Sequence, residues 1–95
     1  MAAYIIADIE ITDAAAYEEY KPKAGAALQK FGARILARGG AVEPKEGGWA
    51  PKRLVVIEFP DMAALRRFYD SPEYTAAREI RQRASRSKLV FVEGV

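Results

Sequence analysis

The sequence predicts an α+β fold of the ferredoxin-like kind, in which four antiparallel strands form one sheet with the helices on one side. Hydrophobic periodicity gives the order β-α-β-β-α-β along the 95 residues. A Ser-Pro pair divides the second helical region in two. The run "LVVI" in the third strand is apolar on both faces, although helices can cover only one. The simplest cover for the other face is a second copy of the sheet, so the sequence predicts an isologous homodimer.

The first strand is predicted at Tyr4–Ile11, where side chains alternate between two faces. Thr12 or Asp13 can cap the helix that follows. The residues of this helix that recur at helical spacing are Tyr17, Tyr20, Ala24, Ala27, Leu28 and Phe31. Pro22 lacks an N–H and clashes with the preceding turn, so a kink or a restart is expected there.

A second strand is predicted at Ala33–Arg38 and a third at Arg53–Phe59, with Pro60 as its end. Between them, "GGAVEPKEGGWAPKR" has two Gly-Gly pairs, two prolines and the only tryptophan, and is predicted to be a long hairpin loop beside a pocket or a subunit contact.

Asp61 can cap the second helix, whose buried stripe is Met62, Leu65, Phe68 and Tyr69. Ser71 and Pro72 then suit the start of a third helix, with Tyr74, Ala77, Ile80 and Ala84 on its inner side. The last strand is predicted at Lys88–Glu93.

Composition narrows the function classes. The chain has no cysteine and no histidine, and its formal net charge is only +2. Thiol and histidine chemistry are therefore excluded, along with the usual zinc and haem ligands. Neither a metal nor a cofactor is expected, because no clustered ligand spacing and no Gly-rich phosphate loop occur. No apolar run is long enough to span a membrane, so one soluble, cytoplasmic domain over residues 1–95 is expected, with no membrane partner.

Four segments, "YIIADIEITDAAAYEEY", "FGARILARGG", "VVIEFPDMAAL" and "YDSPEY", together resemble the domain-of-unknown-function family 1330, from Tyr4 to Gly94. The most specific pieces are Arg38-Gly39-Gly40, Glu58-Phe59-Pro60 and the segment Asp70–Tyr74. The resemblance implies membership of the dimeric α/β-barrel superfamily, in which two ferredoxin-like protomers close a barrel across a two-fold axis. Relatives often have Gly-Gly where this chain has Gly32-Ala33. The superfamily includes monooxygenase-like, isomerase-like and haem-handling domains, so fold analogy alone does not define a reaction.

The barrel-facing side of the sheet is predicted to hold charged groups in an apolar chamber. Its predicted members are Tyr4, Ile6, Asp8, Leu54, Val56 and Glu58, and Arg34, Leu36 and Arg38 of the second strand are expected to join them. Buried charges are costly unless they are paired, so Glu58 is expected to pair with Arg38. Two interpretations stay open: a structural ion pair at the dimer core, or the polar end of a pocket for an anionic or enolisable ligand.

The candidate pocket comprises Asp8, Arg38, Trp49, Arg53, Glu58, Tyr69 and Tyr74. Trp49 is typical of a loop anchor or an interface plug, and a ligand stack is the alternative. Tyr69 and Tyr74, like Tyr20, have the spacing of helix-core residues, although a phenol that reaches a cavity could donate a proton.

A basic segment comprises Arg78, Arg81, Arg83, Arg86 and Lys88. A solvated helix face is the expected explanation. RNA-binding modules of similar topology display aromatic residues on their central strands, whereas these strands carry acids, so no nucleic-acid partner is expected.

Two function classes stay open. The first is a small cofactor-independent enzyme, or a small-molecule-binding protein, with a barrel pocket. The second is a non-catalytic dimeric scaffold or regulatory domain. Charges in an apolar chamber are costly to retain without a use, which favours the first class.

Overall fold

A computed structural model describes residues 1–95 as four strands and three helices in the predicted order. The elements are β1 (Ala3–Ile11), α1 (Ala14–Lys30), β2 (Arg34–Arg38), β3 (Leu54–Phe59), α2 (Met62–Asp70), α3 (Pro72–Ala84) and β4 (Ser85–Glu93). The strands form one antiparallel sheet in the order β2-β3-β1-β4. This topology confirms the ferredoxin-like prediction.

The three helix starts are capped by side chains that the sequence indicated. Asp13 Oδ1 accepts from the N–H of Ala16 at 3.1 Å, and Asp61 Oδ1 accepts from the N–H of Ala64 at 2.7 Å. Ser71 is the cap of α3, where its Oγ accepts from the N–H of Tyr74 at 3.2 Å. Each cap satisfies an N–H of the first turn that has no partner within the helix.

The helices cover one side of the sheet, and the core lies between them. Alternate residues of β1 and β3 are buried on this helix-facing side, and Phe59, Leu65 and Phe68 are the largest side chains with almost no exposure. We call the opposite side the outer face. It carries Tyr4, Ile6, Asp8, Leu54, Val56, Glu58, Val90 and Val92. The predicted alternation of the first and third strands is therefore confirmed.

Two elements differ from the predictions. Helix α1 runs through Pro22 without restarting, because buried Tyr17 and Ala24 hold both halves of the helix against the sheet. Strand β4 begins at Ser85 rather than Lys88, since its polar first residues extend the ladder with β1 as far as the Ile11–Ser85 pair.

Strand β2 contains a bulge. Ile35 is opposite Ile57, but Ala37 rather than Leu36 is opposite Val56. The bulge inserts one residue into the ladder, and every later side chain of the strand changes face. The connection to β3 then runs from 39 to 53, which confirms the predicted long loop, although β3 begins at Leu54 rather than at Arg53.

None of the three helices combines the length and the apolar character that a membrane span requires.

Candidate cavity between the first helix and the sheet

A cavity of about 430 Å³ lies between α1 and the helix-facing side of β2 and β3. Most of its lining is apolar. The residues that line it are Ile9, Tyr17, Tyr20, Lys21, Pro22, Ala24, Gly25, Leu28, Ile35, Arg38, Arg53, Val55 and Ile57. No carboxylate is among them.

Small side chains on α1 account for the space. The helix presents Ala24 and Gly25 to the cavity, and a Cβ built on Gly25 would meet no atom within 4 Å. The sheet side supplies Val55 and Ile57, which are buried and fixed by the ladder with β1. Since neither wall fills the gap, the fold leaves an apolar cavity.

Three cationic side chains line this cavity, and two of them form no salt bridge. Lys21 Nζ lies 2.9 Å from Glu18 Oε1, whereas Arg38 and Arg53 take part in none of the four salt bridges of the protein. Arg38 is exposed and Arg53 is partly buried, with its guanidinium 5.8 Å from the centre of the Tyr17 ring. The Nε of Arg53 is buried and has no hydrogen-bond partner. The opening of the cavity is therefore positively charged.

Gly39 allows Arg53 to take this position. Its φ angle is +69°, and a Cβ added there would lie 2.6 Å from Nη1 of Arg53. Glycine adopts a positive φ without the steric cost that other residues meet. The backbone conformation at the start of the loop and the position of the Arg53 side chain therefore both depend on the absence of a Cβ at Gly39.

A pair of hydrogen-bonded phenols lies where the cavity meets a second, smaller one. The hydroxyls of Tyr20, from α1, and Tyr74, from α3, are 2.8 Å apart. Tyr20 also lines a second, smaller cavity of about 30 Å³, which Tyr74 and Arg81 line as well. We call this second space the inner cavity and the first the main cavity. Ile9, Leu28 and Val55 belong to both cavities, so the two spaces adjoin at Tyr20.

Arg81 is a buried cation, with only 4% of its surface exposed. Its Nε has no hydrogen-bond partner, and it forms no salt bridge. Burial acts to lower the pKa of Arg81, but Tyr74, Tyr20 and Tyr69 together act in the opposite direction, and the net pKa is raised. The guanidinium is therefore charged inside the protein.

The pKa of Tyr20 is shifted upward. Burial is the main cause, because it disfavours the charged phenolate, and the neighbouring Tyr74 adds to the rise. Arg81 acts in the opposite direction. Tyr20 is therefore a neutral hydroxyl that can donate a hydrogen bond into either cavity.

The predicted pair of Glu58 and Arg38 is wrong. Arg34 lies opposite Glu58, and its Nε is 3.4 Å from Oε1 of Glu58 on the outer face. Arg38 lies opposite Val55, on the helix-facing side. The bulge at Leu36 is the reason, because it breaks the regular alternation that the prediction assumed.

Asp8 and Trp49 meet at the end of the outer face. The indole Nε1 of Trp49 donates to Oδ2 of Asp8 at 3.0 Å, and the backbone N–H of Lys52 donates to Oδ1 at 3.1 Å. Trp49 is 56% exposed. These hydrogen bonds tie the loop to β1, on the side of the sheet away from the cavity.

Tyr69 and Tyr74 belong to the helices. The Tyr69 ring packs against Tyr74 and Phe91, and the guanidinium of Arg78 lies 4.5 Å from its centre. Tyr74 is buried and touches the inner cavity only. The seven predicted residues are thus divided: Arg38 and Arg53 line the main cavity, while Asp8, Glu58 and Trp49 lie across the sheet.

Two residues of this region, Tyr20 and Arg81, are not among the seven candidates. The spacing of Tyr20 favours core packing and leaves a phenol that reaches a cavity as the alternative, whereas the solvated face expected for Arg81 is wrong, because Arg81 is buried. A signal for Arg81 exists: Tyr74, Ala77, Arg81 and Ala84 follow the three- and four-residue steps of a buried stripe. The neighbouring basic residues favour a solvated face, so this buried stripe does not stand out in the sequence.

Solved structures similar to this one share its fold. A protein of unknown function from Rhodopseudomonas palustris is 18% identical, with a TM-score of 0.77 over 99% of this chain and 82% of its own. A dimeric ferredoxin-like protein of unknown function from Jannaschia sp. CCS1 is 17% identical, with a TM-score of 0.69 over 99% and 100%. SnoaB, a cofactor-independent oxygenase from Streptomyces nogalater, is 12% identical, with a TM-score of 0.67 over 99% and 93%.

No curated protein matches the sequence. The family described as "Domain of unknown function (DUF1330)" matches residues 2–95. The chain therefore belongs to the DUF1330 family, as its four sequence segments indicated.

Proposed function

We propose that the protein binds a small organic acid, with an apolar body and a carboxylate, in the cavity between α1 and the sheet. The observation that carries the proposal is an apolar cavity whose opening holds Arg38 and Arg53 without an acidic partner. Arginine binds carboxylates through two parallel hydrogen bonds, which suits it to this ligand class.

The size and lining of the cavity support this ligand class. Its volume of about 430 Å³ falls within the range of small-molecule sites. Val55, Ile57 and Leu28 offer apolar contact to the body of a ligand, while the cations lie at the opening. The buried Nε of Arg53 is an unused donor that an anion would satisfy.

We propose further that the protein is a homodimer in which two outer faces pack together. Val90 is 58% exposed and Val92 is 43% exposed, beside the partly exposed Ile6 and Val56. Contiguous apolar surface of this kind marks interaction sites. The protein from Jannaschia sp. CCS1 supports a dimer, because it shares the fold and is described as dimeric. Each subunit would then carry its own cavity, on the far side of its sheet from the barrel interior.

Cofactor-independent chemistry on the bound acid is the reaction class that we propose to test first. SnoaB, which has the same fold, is described as a cofactor-independent oxygenase. Tyr20 supplies a phenol at the cavity wall, and phenols serve as proton donors in acid–base catalysis. A non-catalytic scaffold or regulatory domain is the competing function.

Ligand binding can be tested with the matched pair phenylacetate and phenylacetamide. Thermal unfolding is measured with each compound, because a ligand that binds only the folded state raises its stability. Phenylacetate is expected to stabilise the protein, and phenylacetamide is expected to do so far less. Arg38→Gln and Arg53→Gln should each lower the affinity for phenylacetate about tenfold or more, since each removes a charge-assisted hydrogen bond.

Arg66→Gln is the matched control, because Arg66 is an exposed arginine of α2 outside both cavities. It should bind phenylacetate like the wild type. Equal effects of acid and amide, or equal losses in all three variants, would refute the anion site and favour the scaffold.

A further inference from the structure

The inner cavity has a feature that a purely structural core does not need. Arg81 places a charged guanidinium inside the protein, without a carboxylate and with an unsatisfied Nε. A buried charge is costly unless it is paired. The groups around it that can compensate are phenol hydroxyls, first Tyr74 and then Tyr20 and Tyr69.

No other element supplies a counter-charge to this region. The strands contribute only apolar residues to the inner cavity: Ile5, Ala7, Ile9, Val55, Ile57 and Leu89. Helix α1 contributes Tyr20 and Leu28, and α2 contributes Phe68. Tyr17 is the remaining ionisable group that acts on Tyr20. The region therefore has one cation, several hydroxyls and no anion.

The hydroxyls form a chain that leads from Arg81 to the main cavity. Tyr74 lies beside Arg81 and is 2.8 Å from Tyr20, which lines both cavities. If Tyr74 donates to Tyr20, the Tyr20 proton is free to donate to a ligand. The inner cavity of about 30 Å³ has room for one water-sized group, such as a single oxygen substituent.

We propose that Tyr20, Tyr74 and Arg81 form an oxyanion site at the inner end of the cavity. This inference rests on the proposed binding of an organic acid, and it narrows the ligand class. The ligand is an acid that carries, away from its carboxylate, an enolic or phenolic oxygen that binds as its anion. Arg38 and Arg53 hold the carboxylate at the opening, and Tyr20 donates to the second oxygen, while the ionised proton passes to solvent. Tyr20 contacts the ligand, whereas Tyr74 and Arg81 are positioning residues.

A nitrophenol reports the site directly, because its phenolate absorbs visible light. The probe is (4-hydroxy-3-nitrophenyl)acetate, and 3-nitrophenylacetate, which lacks the hydroxyl, is the matched compound. Absorbance is titrated against pH for the free and the protein-bound probe. The bound phenol should ionise at a pH about one unit lower than the free phenol, equivalent to about tenfold tighter binding of the phenolate.

Tyr20→Phe removes the donor and keeps the ring, so it should abolish that shift, whereas the affinity for 3-nitrophenylacetate should change far less. Arg81→Lys keeps the charge and should retain part of the shift. Tyr4→Phe is the control, because Tyr4 lies on the outer face and lines neither cavity, and it should behave like the wild type.

The outcomes separate the two proposals. If both compounds bind but the phenol ionises as in solution, or if Tyr20→Phe keeps the shift, the oxyanion site is refuted and the acid-binding cavity stands. If neither compound binds the wild-type protein, the acid-binding cavity fails and the oxyanion site fails with it. Because Tyr20→Phe alone decides the test, it does not depend on whether an Arg81 variant folds.

Discussion

Arg34 Nε lies 3.4 Å from Glu58 Oε1, and the two residues lie directly opposite each other in the ladder of β2 and β3. The side chain of Arg34 is 74% exposed and that of Glu58 is 28% exposed. Exposed ion pairs are screened by water, so this contact contributes little to the free energy of unfolding of the subunit. Tyr4 also donates to Oε2 of Glu58, at 3.3 Å.

A double-mutant cycle can compare the two candidate partners of Glu58. In a Val90→Glu background, which keeps the outer face open to solvent, combining Glu58→Gln with Arg34→Gln should give a coupling energy below about 1 kcal/mol, because solvent screens the pair. Combining it with Arg38→Gln should give a value near zero, since Arg38 lies on the other face. Urea unfolding at low salt measures both. A larger coupling for Arg38 would contradict the bulged register of β2 against β3.

Gly39→Ala should damage the cavity opening. The φ of +69° costs a residue with a Cβ about 1–2 kcal/mol, and the new methyl group would displace the guanidinium of Arg53. Gly40→Ala is the matched control, because a Cβ there meets no atom within 4 Å and its φ is not positive. We expect lower thermal stability and weaker phenylacetate binding in the first variant only. Equal stability and equal binding in the two variants would argue against this role of Gly39.

Stability should fall in alkaline solution because of Tyr20. Its pKa is raised in the folded state, so above pH 10 the unfolded chain releases the proton of this phenol while the folded protein keeps it. Stability from this group is therefore complete below pH 10 and decreases as pH rises, by at most about 1.4 kcal/mol per pH unit for one proton.

Tyr20→Phe should remove that part of the slope, although the lost bond to Tyr74 lowers its stability at neutral pH. Urea unfolding between about pH 9 and 11 measures the slope in both proteins. Parallel slopes would show that Tyr20 ionises alike in the folded and unfolded states.

Asp8→Asn should loosen the loop between β2 and β3. The carboxylate accepts from both Trp49 and Lys52, and an amide has only one acceptor oxygen for two donors. Trypsin should then cleave faster after Lys45 or Lys52. The fluorescence anisotropy of Trp49, the only tryptophan, should fall because its side chain moves more freely. Glu10→Gln is the control, because Glu10 is an exposed acid of the same strand. Unchanged cleavage would mean that the loop is held by other contacts.

Val90→Glu should disrupt the proposed dimer. A glutamate on the outer face stays hydrated in a single subunit, but it would lose that hydration between two packed sheets. Light scattering should show a dimer for the wild type and a monomer for Val90→Glu. Val42→Glu, in the exposed loop, is the control and should remain dimeric. A wild-type monomer at micromolar concentration would disprove the assembly itself.

The sequence predicts the order of elements and the faces of β1 and β3 because regular alternation applies to strands inside a sheet. It does not predict the bulge in β2, because Leu36 is an ordinary strand residue and nothing in "RILAR" indicates an irregular step. The error in the site follows from that one residue, since Arg38 changes face. Arg81 differs from this expectation for another reason: its charge favours solvent, and its burial depends in part on Tyr20 of α1, which is distant in sequence.

The extra residue in strand β2, Leu36, decides which face of the sheet each later residue of the strand occupies. Deleting one residue there would leave a shorter, regular strand and would send Arg38 to the outer face. The cavity would lose a cation, and the surface proposed to meet a second subunit would gain one. The length of this edge strand therefore matters more than the identity of Leu36, and a relative that lacks the extra residue should differ in both its ligand and its assembly.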